Sequence, residues 1–279
     1  MEPERPSATI PAELTRRAEA IAAGDADWVA PPPRDAATII LLRERSGSVE
    51  VFLQRRVGKM AFAAGMYVFP GGKVERSDAD PEIGWNGPAR WEPFHQPPDH
   101  APTASFRALT VAAARATWEE AGVALAALDN KPVSTIPAQA ADPFLDWVRS
   151  NNYVVNAAAF APFAHWVTPE VESRRFDTRF LVTELPGGQS ALDRGWESDE
   201  SAWFRPADAM DQHRSGALAM LPPTSHSLQQ LADFDSVAAV MAAARARNPE
   251  PILPRPAASA TGNIEWQLVH AYTGQVLHL

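Results

Sequence analysis

"AATIILLRE" at 36–44 is a continuous apolar run of strand length. A short "RSGS" turn leads to "VEVFLQRR" (49–56), where Val49, Val51 and Leu53 alternate with Glu50 and Gln54 as in a half-buried strand, so the two segments read as a hairpin. "MYVFPGG" (66–72) reads as a third strand running into a Pro-Gly-Gly loop. Residues 79–104 are rich in Pro, Trp and His and keep no period, the pattern of a long loop or lid. "SFRALTVAAARATWEEAG" (105–122) is alanine-rich, free of Pro and internal Gly, and reads as a helix ended by Gly122 in a left-handed turn. A second insertion, 124–163, is expected to be helical around "DPFLDWVRS". Strands are expected at 174–188 and 200–206, and three helices in "PADAMDQHRSG", "PPTSHSLQQLADF" and "VAAVMAAARAR".

The ends differ from this core. Residues 1–34 read as an appendage, with a short helix in "PAELTRRAEAIAA" and a stiff "PPP" connector at 31–33. The main domain spans 35–248, and 249–279 reads as an irregular tail without internal repeats anywhere in the chain. Strands around one long helix, with helices at the end, predict a layered α/β or α+β domain.

Composition narrows the function. The 279 residues suffice for one large domain or two small ones, with nearly half of them hydrophobic. The net charge of −9 and the scattered Arg pairs (Arg16/Arg17, Arg55/Arg56, Arg174/Arg175) leave no basic face for nucleic acid. The absence of cysteine excludes disulfides and thiolate metal sites and fits a reducing cytoplasm, the expected location. No apolar run reaches the ~20 residues that span a bilayer, so no membrane partner is expected. The N-terminus lacks the apolar stretch of a signal peptide, and "LHL" is no convincing address signal. The seven histidines show no ligand spacing and read as structural or exposed.

The chemistry concentrates in "VFPGGKVERSD" (68–78) and "ARATWEEAGV" (114–123). Positions 116, 119 and 120 share one helix face at i, i+3 and i+4, but only Glu119 and Glu120 are acids; position 116 is Ala116. Carboxylates on one helix face suit a hard divalent cation that offsets negative charge, such as that on phosphate oxygens. Mg²⁺, or Mn²⁺, does this through oxygen ligands. The Pro-Gly-Gly loop lets backbone approach an ion closely, because glycine has no Cβ.

Gly72, five residues, then Asp78, and later Arg115, Glu119-Glu120 and Gly122-Val123 resemble the Nudix box, G-x5-E-x7-R-E-U-x-E-E-x-G-U, where U is aliphatic. Two departures are plain: 36 residues (79–114) stand where seven are usual, and Ala116 and Thr117 replace Glu and the aliphatic residue. The insertion resembles that of the Nudix branch containing the peroxisomal coenzyme A diphosphatases. "RDAATIILLR", "FLQRRVGKMAFAAGMYVFPGGKVERSDAD", "HWVTPEVESRRFDTRFLV" and "LPPTSHSLQQL" are similar to it too, so the likeness covers roughly 34–235. The resemblance implies an α/β/α sandwich with a mixed sheet, insertions 79–104 and 124–163 capping the site, and a homodimer. It implies a Mg²⁺- or Mn²⁺-dependent pyrophosphohydrolase acting on a nucleoside diphosphate derivative, with coenzyme A or an acyl derivative leading. The Gly71 carbonyl, Glu119 and Glu120 would hold metal. Glu200, ahead of Glu197, would be the late-loop ligand or base. Asp78 and Arg115 would form a buried pair locking loop to helix, and Glu75 would be a supporting acid or exposed. Arg55 and Arg56 would meet substrate phosphates or simply end a strand. Trp85, Trp91 and Phe94 would pack the insertion or stack on a base. Ala116 motivates the alternative, a non-catalytic nucleotide binder or regulator on the same scaffold.

Overall fold

The apolar run of the first long strand is explained by what covers it. In a computed structural model describing residues 12–24, 28–57, 65–87, 104–136, 143–192, 198–259, 261 and 263–278, Ile39 and Leu41 enter one hydrophobic core and Ile40 and Leu42 a second. A strand with helices on both faces cannot alternate in polarity.

The elements in chain order are α1 (Ala12–Ala23), β1 (Arg34–Arg45), β2 (Ser48–Arg56), β3 (Tyr67–Val68), β4 (Gly71–Lys73), α2 (Phe106–Ala121), β5 (Ala126–Leu128) and β6 (Lys131–Pro132). They continue with α3 (Phe144–Ser150), β7 (Val154–Val155), β8 (Ala161–Val167), β9 (Phe176–Glu184), β10 (Ser198–Phe204), α4 (Pro206–Arg214), α5 (Pro222–Leu231), α6 (Val237–Arg245), β11 (Pro251–Ala258) and β12 (Ile264–His270). The main sheet runs β10-β2-β1-β9-β8-β11-β12, with β3 on β2 and β4 on β1. It is mixed: β1 pairs antiparallel with β2 and β4 but parallel with β9. On one face α2 packs over Ala37, Ile39, Leu41, Phe52 and Leu181; on the other, Ala209 of α4, Leu228 of α5 and Val240 of α6 pack over Ile40, Leu42, Val51, Leu53 and Val182. This is an α/β/α sandwich.

Four readings are corrected. Gln54, taken as a polar alternate of a half-buried strand, is 2% exposed, because α2 lies over its face of β2. The tail 249–279 is not irregular: β11 and β12 form an antiparallel pair that extends the sheet. Its three prolines disguised β11, but β11 meets β8 only at Pro251 and Ile252, so Pro254 and Pro256 lie past that neighbour. The insertion 124–163 contributes more than α3: β5, β6 and β7 make a small second sheet, and β8 of the main sheet begins at Ala161. Its aromatic residues stack on α2, Trp147 on Trp118 with ring centroids 4.8 Å apart, so the described contacts make it a buttress of that helix. The described start of the first insertion joins it, with Val155 N–H donating to the Gly84 carbonyl at 2.8 Å and Asn86 N–H donating to the Val155 carbonyl at 3.2 Å. Trp85 packs there too, its Nε1 donating to Thr110 Oγ1 at 2.9 Å, whereas Trp91 and Phe94 lie outside the described residues.

The N-terminal appendage is anchored: Arg17 donates to the Val171 carbonyl at 3.0 Å and Trp28 Nε1 to that of Glu170 at 2.6 Å.

Candidate active site

Two elements carry the box, and their ends are fixed by local chemistry. α2 starts at Ser105, whose hydroxyl accepts from Ala108 N–H at 3.2 Å, and stops at Gly122, which adopts φ 66°. β4 lies against β1 so closely that a Cβ on Gly71 would stand 2.6 Å from Thr38 Oγ1 and 2.8 Å from the Ala37 carbonyl oxygen. Only glycine fits there.

Arg115 joins loop to helix. Its Nε and Nη2 donate to the two oxygens of Asp78 at 2.8 and 2.9 Å, and Nη2 also reaches the Lys73 carbonyl at 3.0 Å. Asp78 is fully buried and accepts a further bond from Glu75 N–H at 2.7 Å. Burial alone would lower the Arg115 guanidinium, but the bonds and charge of Asp78, with Glu119 adding, hold it well above its ordinary value. The pair expected between Asp78 and Arg115 is present in the forked geometry that suits arginine. Glu75 is half-exposed and stands 3.6 Å from the Lys73 ammonium.

Glu119 and Glu120 stand in the last turn of α2. Arg115 Nη1 donates to Glu119 at 3.1 Å. Burial pushes the Glu119 carboxyl up, and Arg115 only partly offsets it. Glu120 turns inward: its Oε2 accepts from Gly71 N–H at 3.1 Å and from the Gln54 amide. Ala116 is buried, and its Cβ would be 3.7 Å from a Cβ on Gly72, so position 116 faces the glycine loop. A carboxylate there would have entered the space between helix and loop.

Glu200 is placed elsewhere. It pairs across strands with Arg55, and their side chains approach to 3.4 Å. Residues directly opposite in an antiparallel pair point to the same face. Arg55 follows the parity of Val51 and Leu53 in the α4–α6 core, whereas Gln54 follows Phe52 in the α2 core. The register therefore sets Glu200 and Arg55 on the face away from Glu120. Arg56 is partly exposed at the end of β2, and Glu197 lies outside the described residues. Among the described residues no three His, Cys, Asp or Glu side chains gather as a metal set.

The oxygen donors present nevertheless fit a hard divalent cation: two adjacent carboxylates and the buried amide oxygen of Gln54, which has no hydrogen-bond partner among the described residues. Mg²⁺ commonly takes one or two carboxylates and completes its shell with water and substrate phosphate. Gln54 is a site residue that the sequence pattern does not reveal. The available signal was an uncharged polar side chain inside "VFLQRR", and alternation assigned it to solvent.

An α/β/α sandwich with a glycine loop held to a Glu-Glu helix by a buried Arg-Asp pair defines the Nudix class. More particularly, the chain belongs to the family of the NUDT19 Nudix domain, whose profile matches residues 20–231. It is 25% identical over 240 residues to acyl-coenzyme A diphosphatase NUDT19 of Xenopus laevis, an alignment covering 69% of this chain and 62% of that protein. The Gallus gallus protein of the same name is 24% identical over 263 residues, covering 73% and 69%. The chain thus spans about 62% of the length of the Xenopus relative. A NUDIX hydrolase from Alicyclobacillus acidocaldarius superposes with a TM-score of 0.63 at 24% identity, over 77% of this chain and 97% of that one, and shares the fold.

Proposed function

We propose that the chain is a Nudix hydrolase that cleaves the diphosphate linkage of a nucleoside diphosphate derivative with Mg²⁺ or Mn²⁺, and that coenzyme A or an acyl-coenzyme A is its substrate. One observation carries this reading: Glu120 accepts the Gly71 N–H at the glycine loop, and Glu119 accepts from Arg115, which Asp78 and the Lys73 carbonyl tie to the same loop. The substrate class is supported by the names of the Xenopus and Gallus relatives.

In this reading Glu119, Glu120 and the Gly71 carbonyl hold the cation. When bound, it neutralises charge on the phosphate oxygens. Glu120 is oriented by Gln54 and Gly71, and Arg115 restrains Glu119 while locking the loop. Water attacks a phosphorus of the bridge, and coenzyme A would yield 4′-phosphopantetheine and 3′,5′-ADP. Glu200 and Arg55 take part only if β10 and the end of β2 rearrange, since their register turns them away. Arg56 remains the arginine proposed to meet substrate phosphate. A homodimer and a cytoplasmic location belong to the same proposal; among the described residues no helix is long and apolar enough to cross a membrane.

The buried methyl of Ala116 favours a second reading, a nucleotide binder without turnover. A panel of diphosphates incubated with Mg²⁺ or Mn²⁺, with products separated, tests the first. Tight nucleotide binding by calorimetry without cleavage of any panel member selects the second.

A further inference from the structure

Gln54 is 2% exposed, lies on β2 beneath α2, and gives its Nε2–H to Glu120 Oε2. That orientation is dictated by chemistry, because the amide oxygen turned to the carboxylate would set two acceptors against each other. The same Glu120 oxygen also takes the Gly71 N–H at 3.1 Å, so one side of the carboxylate is fixed from both strand and loop. The consequence falls on the other end of the amide. Gln54 Oε1 is buried and has no hydrogen-bond partner among the described residues. A buried acceptor left unsatisfied is costly and therefore rare. Here it sits one amide away from a carboxylate of the candidate metal site, and an amide oxygen is a competent donor to hard cations.

We propose that Gln54 is a member of the metal site: its nitrogen positions Glu120, and its oxygen serves the coordination shell of the divalent cation. This inference rests on the metal-dependent reading above. It gives the site a neutral oxygen donor from the sheet in addition to the helix carboxylates, at a place that the box motif does not include.

The test is Mn²⁺ binding to the full chain, followed by electron paramagnetic resonance titration, with unfolding temperatures measured without metal. Gln54→Leu keeps the bulk and removes both polar ends. The expected result is Mn²⁺ affinity about 10- to 100-fold weaker, the range for lost supporting contacts to a metal ligand, with the metal-free unfolding temperature little changed. Gln54→Glu places a second carboxylate beside Glu120. It should lower metal-free stability by like-charge repulsion, yet bind Mn²⁺ at least as tightly as the unsubstituted chain. Equal Mn²⁺ affinity in Gln54→Leu and the unsubstituted chain overturns the inference and leaves the metal reading standing. Should Gln54→Leu not fold, Gln54→Glu decides, and weaker binding there overturns the inference. No Mn²⁺ binding by the unsubstituted chain removes the metal reading and this inference together.

Discussion

At position 116 a methyl group, 2% exposed, faces Gly72 where the box motif has a carboxylate. Gly72 has no side chain to oppose a longer residue, and Glu119 and Glu120 follow one turn later. Ala116→Glu is therefore expected to raise the rate of diphosphate cleavage by about 10-fold or more, since even lost supporting contacts at metal sites cost that much. An unchanged rate in a folded variant would falsify this. The Asp78–Arg115 pair answers to stability. Asp78→Ala leaves the guanidinium, whose side chain is 11% exposed, without its carboxylate, and should cost about 3–5 kcal/mol in urea unfolding. Asp78, Arg115, Glu119 and Glu120 were legible in the sequence because the motif fixes their spacing. Gln54 was not, because its burial depends on a helix over 50 residues further along the chain. The likeness that placed Glu200 in the site did not include the register that pairs it with Arg55.

Among the elements, α2 was the most legible: the pattern at 105–122 predicts a helix ended by Gly122, and the helix is Phe106–Ala121 with Ser105 and Gly122 as caps. Its end can be tested directly. A side chain at φ 66° is strained, so Gly122→Ala should lower stability by about 1–2 kcal/mol, and a neutral result would mean that the end of α2 relaxes. The hairpin of β1 and β2 was legible from hydrophobic pattern and turn alone. The pair β11–β12 was not, since prolines at 251, 254 and 256 mark non-strand locally while the partner strand supplies the pairing. The little sheet β5–β7 was hidden for a related reason: its strands are two or three residues long, too short for a period to show.

Over the whole molecule, burial sets the response to acid. His165 is fully buried, and that burial lowers its pKa despite the neighbouring Asp177. Burial opposes the charge of Asp177 as well, yet the bond from His165 and the Arg179 guanidinium hold its carboxyl below the usual range. Burial and Arg247 lower His226 too. All three groups bind protons more readily when unfolded. Their contribution to stability is complete above their ordinary values and is lost as pH falls. The histidines act first, below their ordinary 6.5, and Asp177 follows below 3.8. Unfolding temperature should therefore fall as pH drops from 7 through 6.5, whereas Glu119 and Glu172, raised from 4.5 by burial, act in the opposite sense; His165→Gln should flatten part of the decline just below 6.5, and a parallel curve for the variant would show that His165 does not contribute to it. Metal acts in the opposite direction: Mn²⁺ at 100 times its dissociation constant should add about 2.7 kcal/mol, reversed by chelation.

The activity proposed for the chain is hydrolysis of a diphosphate at the glycine loop and the Glu119–Glu120 helix end. The most direct measurement incubates the purified chain and its Ala116→Glu variant side by side with Mg²⁺ or Mn²⁺ and a panel that includes coenzyme A and an acyl-coenzyme A. Cleavage of a diphosphate linkage by the chain is expected, faster in the variant, with 4′-phosphopantetheine and 3′,5′-ADP from coenzyme A. Metal bound by both proteins with no panel member cleaved by either would contradict it.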